Sequence, residues 1–347
     1  MQALVFEAPE QVRVTQVADA RLLAPSDALV RVTAAAVCGS DLHVYHGRET
    51  GLDPGTPMGH EMVGVVLEVG AEVTRFRVGD RVAVPFTTSC GACFYCREGL
   101  TARCERGELF GWIERGRGLA GVQAEAARVP MADSTLVALP QDLDDRQALL
   151  LGDVLATGWH GAAGAGAGPG RVLAVVGCGP IGLMAVLAAR ELGAAQVFAV
   201  DSVPTRLALA AALGATPLAL VADPVAAVQA ATAGRGADGV VEAVGSPPAT
   251  RLAIDLCRPG ATLHAVGVHV EPHFAFAPGE AYDKNLVYRA GRCSARALME
   301  PLRERLAAGA LPVAALFTHE LPLVEGARAY AVFAAREDGC IKVLLRP

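Results

Sequence analysis

The sequence predicts an α/β chain built from two architectures, a β-rich, barrel-like domain and a doubly wound parallel sheet. Three observations carry that expectation. Val-rich runs broken by Gly, Pro and Asp turns fill about the first 150 residues. Strands alternating with helices begin near Thr157. A Gly-x-Gly-x-x-Gly turn joins an apolar strand to a helix at Gly177, Gly179 and Gly182.

Taken in order, Leu29–Val32, Gly64–Val69 and Arg81–Val84 read as strands, with Val78-Gly79-Asp80 as a turn before the last. An Ala/Gly-rich stretch from Gly161 to Gly170 leads into a strand at Val172–Val176 and an apolar helix ending at Leu192-Gly193. Strand Gln196–Val200, helix Pro204–Leu213 (closed by Gly214) and strands Gly239–Val244 and Thr262–Val266 follow. After about Ala290 come a helix at Ala297–Ala308, the segment Phe317–Leu321 and a last strand at Ile341–Leu345. The expected division is 1–154 and 290–347 for the barrel-like domain, with a lobe at 88–106, and 155–289 for the parallel sheet. Two domains suit a chain of 347 residues.

Composition excludes several classes. Just over half the residues are apolar and a fifth charged, which supports packed cores rather than disorder. A net charge of −6 gives no basic footprint for nucleic acid or anionic lipid. The opening Met1-Gln2-Ala3-Leu4-Val5-Phe6-Glu7 lacks a basic export region, so a cytoplasmic location is expected. Val172 to Ala189 mimics a membrane span in hydropathy. The Gly/Pro turn at residues 177–182 divides it into a strand, a turn and a helix start, so no membrane association is expected.

The glycine turn points to a dinucleotide. Its glycines let the backbone turn tightly and approach a pyrophosphate, whose charge the helix N-terminus stabilises. Asp201 stands 19 residues past Gly182, at the end of the second strand, where a carboxylate accepts both ribose hydroxyls and repels a 2′-phosphate. That favours NAD over NADP. Arg206, a turn into the next helix, is placed to stack on the adenine, although an arginine there is also a feature of NADP sites. The competing reading is a turn that only packs helix on strand, with Asp201 as a helix cap.

Four of the nine cysteines crowd into one segment, Cys90-x2-Cys93-x2-Cys96-x7-Cys104. In a reducing compartment such spacing reads as zinc ligands before disulfides, and four thiolates leave no position for a substrate. The expected role is therefore structural. Two further segments carry donors, Cys38-Gly39-Ser40-Asp41-Leu42-His43 and Gly59-His60-Glu61.

These motifs, in this order, resemble the zinc-containing alcohol dehydrogenases of the medium-chain dehydrogenase/reductase superfamily, over nearly the whole chain to Gly339-Cys340-Ile341-Lys342-Val343. The resemblance implies a GroES-like β-barrel catalytic domain and a Rossmann cofactor domain, with one catalytic and one structural zinc per chain. By it Cys38 and His60 ligate the catalytic zinc. Many relatives supply a third ligand as cysteine, whereas this chain reads Leu151-Gly152-Asp153-Val154, similar to the formaldehyde-dehydrogenase-like branch with an aspartate in that place. Asp153 is assigned accordingly. Thiolate, neutral imidazole and carboxylate balance the charge of one Zn²⁺. Glu61 would stand beside the metal, either as an acid behind the ligands or as a ligand that transiently displaces water.

The same resemblance gives Ser40 and His43 a proton relay that ends in solvent by way of the cofactor ribose, although Ser40 could equally cap a helix. Thr157, Ile181 and the strand end at Gly267-Val268 would contact the cofactor, and Lys342 would approach its pyrophosphate. Phe86 and Trp112 would wall the substrate pocket, or simply belong to the core. The implied activity is NAD-linked, reversible oxidation of primary or secondary alcohols to aldehydes or ketones. Alternatives are a formaldehyde dehydrogenase or dismutase, a polyol or threonine dehydrogenase, and a zinc-less, catalytically silent binding protein. Relatives form homo-oligomers, so a tetramer is expected ahead of a dimer.

Overall fold

A computed structural model describes residues 1–313 and 315–347, and the chain forms two compact units, Met1–Ala156 with Ser294–Pro347, and Thr157–Cys293. The second unit opens at Thr157, where the sequence texture changes, and both divisions fall a few residues later than the expected bounds of 155–289.

The first unit is β-rich. Its main sheet runs in the order Phe317–Pro322, Lys342–Arg346, Ala28–Val37, Met62–Val69, Arg81–Ala83 and Val137–Ala138, and Ala126–Val129 also pairs with Ala28–Val37. Val30, Val32, Met62, Val66, Val82 and Val129 bury one face of it, and Tyr330 from helix Gly326–Ala335 joins that core. The alternating burial of Ala28–Val32 is the period-2 signature that made this strand legible. An N-terminal hairpin, Gln2–Ala8 with Gln11–Gln16, adds a pair of strands the sequence reading did not identify. Val12 and Val14 alternate with polar neighbours there, a signal too short to stand out.

One consequence of the register positions the chemistry. Val343 pairs with Val37 and Ala35 with Met62, both antiparallel. The C-terminal end of Ala28–Val37 therefore lies beside the N-terminal ends of Met62–Val69 and Lys342–Arg346. Cys38, His60-Glu61 and Lys342 consequently share one end of three adjacent strands.

The second unit is a six-stranded, all-parallel sheet in the order Thr216–Ala219, Gln196–Asp201, Val172–Val176, Ala237–Glu242, Cys257–Ala265, Val287–Ala290. Numbered within the unit this is 3-2-1-4-5-6, the doubly wound dinucleotide-binding topology. Its central strands are nearly continuous apolar runs, as burial on both faces requires. Strands 216–219 and 287–290 lie at the edges and are largely exposed, so their composition did not mark them. Val172–Val176 is a strand and Pro180–Glu191 a helix, and among the described residues no helix is long and apolar enough to cross a membrane.

His264 is buried in this sheet, its Nδ1 3.3 Å from the Gly161 carbonyl oxygen and its ring 4.7 Å from that of His160. Burial is the chief reason its pKa falls from 6.5 to about 4, with His160 adding to it. A histidine neutral in the fold and protonated in the unfolded chain contributes stability above pH 6.5 that is lost as pH falls through about 4. That loss is about 3 kcal/mol by the lower pH. Urea unfolding at neutral and acid pH should show His264→Leu losing less stability on acidification than the parent by about that amount. An identical pH slope in the two proteins overturns the assignment.

Candidate metal centre and cofactor turn

Each donor of the buried cluster is set by a chain reversal. Cys38 follows the long strand 28–37, His60 and Glu61 precede strand 62–69, and Asp153 separates the turn Leu150–Gly152 from helix Val154–Gly164. The Gly152 carbonyl accepts from the Phe86 N–H, which docks this segment on the barrel. Ligand atoms of Cys38, His60, Glu61 and Asp153 all lie within 4.8 Å of one another, and all four residues are buried. Cys38 Sγ is 3.4 Å and His60 Nε2 3.3 Å from the same Asp153 oxygen. On the far side of the ring, His60 Nδ1 meets Asp41 Oδ1 at 3.3 Å. That contact assigns the proton to Nδ1 and turns the Nε2 lone pair toward Cys38 and Asp153.

The electrostatics call for a cation. Burial, then Asp153 and Glu61, push the Cys38 thiol up to about 11. Burial works to lower His60, but the Asp41 and Asp153 carboxylates outweigh it and hold the imidazole well above its ordinary range. One carboxylate oxygen of Glu61, Oε2, is buried with no hydrogen-bond partner among the described residues. A thiol, an imidazole and two carboxyls held this closely, with a spare buried oxygen, fit a divalent ion such as zinc.

Lys342 corrects one expectation. The resemblance placed it near a pyrophosphate, but its side chain is fully buried, and Nζ donates to Glu61 Oε1 at 2.8 Å and to the Val37 carbonyl at 3.3 Å. Strand 342–346 lies next to strand 28–37, and that register directs Lys342 into the metal cluster. Its charge also completes a balance. Counting the donor residues and the lysine alone, Cys38, Asp153 and Glu61 as anions carry three negative charges, Lys342 cancels one, and the remaining two match one divalent cation.

Ser40 precedes helix Asp41–Tyr45 without capping it through its side chain. Its hydroxyl lies 3.4 Å from His60 Nε2, on the donor side of the cluster. His43 is in the same short helix, and its Nδ1 is buried without a partner among the described residues. Burial lowers its pKa, with Arg48 and His46 adding to the shift, so the ring is held neutral. Phe86 packs edge-on to His60, ring centroids 6.3 Å apart. Trp112 begins a small hairpin, Trp112–Glu114 with Arg117–Leu119, and packs against the barrel core.

The cysteine lobe has little core of its own, with Phe94, Tyr95 and Leu100 exposed. Its four thiols nevertheless converge as a second donor group. The Cys93 N–H donates to Cys90 Sγ at 3.3 Å and the Cys90 N–H to Cys104 Sγ at 3.2 Å. Although burial opposes it, the Ala92 and Cys93 N–H groups pull the Cys90 thiol down to about 6. Among the described residues no disulfide joins any of the nine cysteines.

In the second unit the three glycines divide the work of the turn. Gly177 has φ +88°, and a Cβ on Gly182 would run into the Gly177 carbonyl oxygen. Gly179 faces open space, with only an Arg206 guanidinium nitrogen near the position of a Cβ, at 3.9 Å. A ligand backbone can therefore approach there. Pro180 opens the helix at its first turn, and Ile181 follows it half-buried. Asp201 accepts from the Cys178 N–H at 2.6 Å and the Val203 N–H at 2.8 Å, which ties the turn to the second strand. Thr157 opens the unit, buried, and Val268 lies exposed just beyond strand 257–265.

Sequence reasoning passed over Asp41, Gln123 and Tyr330. Asp41 stands inside the Cys38–His43 segment, and its spacing of three residues from Cys38 was a usable signal. Gln123 and Tyr330 carried none, because only the fold brings them to the site.

A parallel-sheet dinucleotide unit together with a buried sulfur, nitrogen and carboxylate cluster and a four-cysteine lobe defines a zinc dehydrogenase by class. The comparisons agree. Residues 24–141 match the alcohol dehydrogenase GroES-like domain and residues 180–303 the zinc-binding dehydrogenase family. "Zinc-type alcohol dehydrogenase B" of Aspergillus flavus is 39% identical over 344 residues, 96% of this chain and 79% of that protein. The solved alcohol dehydrogenase TADH from Thermus sp. ATN1 is 41% identical with a TM-score of 0.94, covering 100% of this chain and 99% of that one. A zinc-binding dehydrogenase from Sinorhizobium meliloti, solved bound to NADP, is 27% identical with a TM-score of 0.86, covering 100% and 99%. The chain belongs to the zinc-containing alcohol dehydrogenases of the medium-chain dehydrogenase/reductase superfamily.

Proposed function

We propose that this chain oxidises small or medium apolar alcohols, reversibly, with NAD as hydride acceptor and Cys38, His60 and Asp153 as the ligands of a catalytic zinc. The observation that carries the reading is the approach of Cys38 Sγ and His60 Nε2 to one Asp153 oxygen, with the Ser40 hydroxyl alongside. Zinc and a nicotinamide ring together supply the Lewis acid and the hydride acceptor that side chains lack. The residues handle the proton. Ser40 Oγ takes it from the substrate hydroxyl as it gives up its own, and the neutral His43, with Nδ1 unpartnered among the described residues, is the next acceptor. Phe86 beside His60 offers the substrate an apolar wall. Asp153 in the third ligand position supports placement in the formaldehyde-dehydrogenase-like branch. Cysteines without disulfides among the described residues suit a reducing cytoplasm, and a homotetramer is the assembly we propose.

Initial-rate NADH formation over primary, secondary, aromatic and polyol alcohols, alongside zinc content, tests the reading. Two zinc per chain with turnover of apolar alcohols supports it, and a zinc-free protein sinks it.

The preference for NAD rests on Asp201, which closes the second parallel strand and repels a 2′-phosphate. Asp201→Asn removes the charge while keeping an acceptor. The ratio of kcat/KM for NAD to that for NADP should then fall about 10–100-fold, the worth of a charged hydrogen bond. An unchanged ratio assigns cofactor choice elsewhere.

A further inference from the structure

We infer that Gln123 and Tyr330 are positioning residues for the metal site, joined in a one-way hydrogen-bond relay that fixes the orientation of Asp41 and thereby the tautomer of His60. The inference rests on the metal-ligand reading above and extends it beyond the ligands.

The relay begins with an assignment the fold leaves no freedom over. Gln123 is fully buried, and one end of its amide lies 2.9 Å from the Ala36 carbonyl oxygen. A carbonyl only accepts, so that end is the NH₂ group. The same nitrogen reaches Asp41 Oδ2 at 3.3 Å, so both of its protons are used. The amide oxygen must then face a donor, and the Tyr330 hydroxyl, 3.0 Å away and fully buried, is that donor.

Asp41 is consequently fixed from one side. Its Oδ2 accepts from Gln123 and from the Cys38 N–H at 3.0 Å, which leaves Oδ1 to face His60 Nδ1 at 3.3 Å. A carboxylate has no proton to give, so Nδ1 carries the hydrogen and Nε2 presents its lone pair to the donor cluster. Each step in the series Tyr330 → Gln123 → Asp41 ← His60 admits one polarity. The pieces come from well separated parts of the chain: a C-terminal helix, the loop before strand 126–129, a helix start and a strand start. Packing holds the relay in place as well. A Cβ on Gly59, the residue before His60, would run into the Gln123 side chain, and the Tyr330 ring lies 5.5 Å from that of Tyr45.

The test compares the parent with Gln123→Met, Tyr330→Phe and the double variant, each loaded with zinc. Zinc content comes first. Two ions per chain in the parent support the ligand reading, and its failure there would be separate from failure of the relay. Competition with a chelator then measures affinity at the weaker site. Removing a group that orients a ligand typically costs 10–100-fold in metal affinity. Gln123→Met should show that loss and Tyr330→Phe a smaller one. The double variant should lose less than the sum of the two single losses, because the tyrosine hydroxyl donates to the amide oxygen and acts in part through it. The nitrogen-15 signals of His60 give a second readout, with loss of the protonated Nδ1 signature expected in Gln123→Met. A merely structural role would lower Tm without moving affinity or that signature. Folded variants that keep parental affinity and an unchanged His60 spectrum overturn the relay, and Tyr330→Phe supplies that result should Gln123→Met not fold.

Discussion

Replacing Asp153 with alanine is expected to leave one zinc per chain instead of two and to lower kcat/KM at least about 10³-fold, with the fold and the cysteine-lobe zinc retained. Cys38, His60 and Glu61 would remain, but Glu61 is already engaged by Lys342, and the cluster loses the oxygen that both Cys38 and His60 approach. The charge argument sharpens the test. Asp153→Cys restores an anion of softer character and should recover much of the metal, whereas Asp153→Asn, neutral and similar in shape, should not. Metal analysis and initial rates on the three variants separate charge from geometry. Two tightly held zinc ions and parental rates in Asp153→Ala would remove the carboxylate from the ligand set.

What the sequence made legible follows from range. The glycine turn and the four cysteines each perform their chemistry within one local segment, so spacing alone exposes them. The central parallel strands were equally plain, because burial on both faces demands unbroken apolar runs such as Val172–Val176. Asp153 was reached through family resemblance, since a lone aspartate between a turn and a helix has no local signature. The residues behind the ligands were out of reach for a different reason. Gln123 and Tyr330 are 207 positions apart, and Lys342 and Glu61 are 281 apart. Antiparallel register and helix packing bring them together, and nothing at either position announces its partner. The misplacement of Lys342 has the same origin, because a terminal motif gives a residue's neighbours in sequence but not the strand beside it.

That correction leads to the second large effect. Lys342→Met should destabilise the protein by about 3–5 kcal/mol, because it leaves the Glu61 carboxylate buried without its counter-ion. Burial already pushes the Glu61 carboxyl up, and Lys342 is the principal group drawing it back down. Removing the lysine alone exposes the full desolvation penalty. Removing the charge from both partners, in Lys342→Met with Glu61→Gln, should restore the larger part of the loss, since a buried ion pair costs less to delete whole than to halve. Urea unfolding of the two single variants and the double, at equal zinc content, measures the coupling between them. A lysine reaching out to a pyrophosphate makes the opposite forecast: near-parental stability, a raised KM for NAD and additive effects with Glu61→Gln. The presence of coupling therefore decides between a charge that completes the metal cluster and one that serves the cofactor, and the 2.8 Å contact between two fully buried side chains predicts the first.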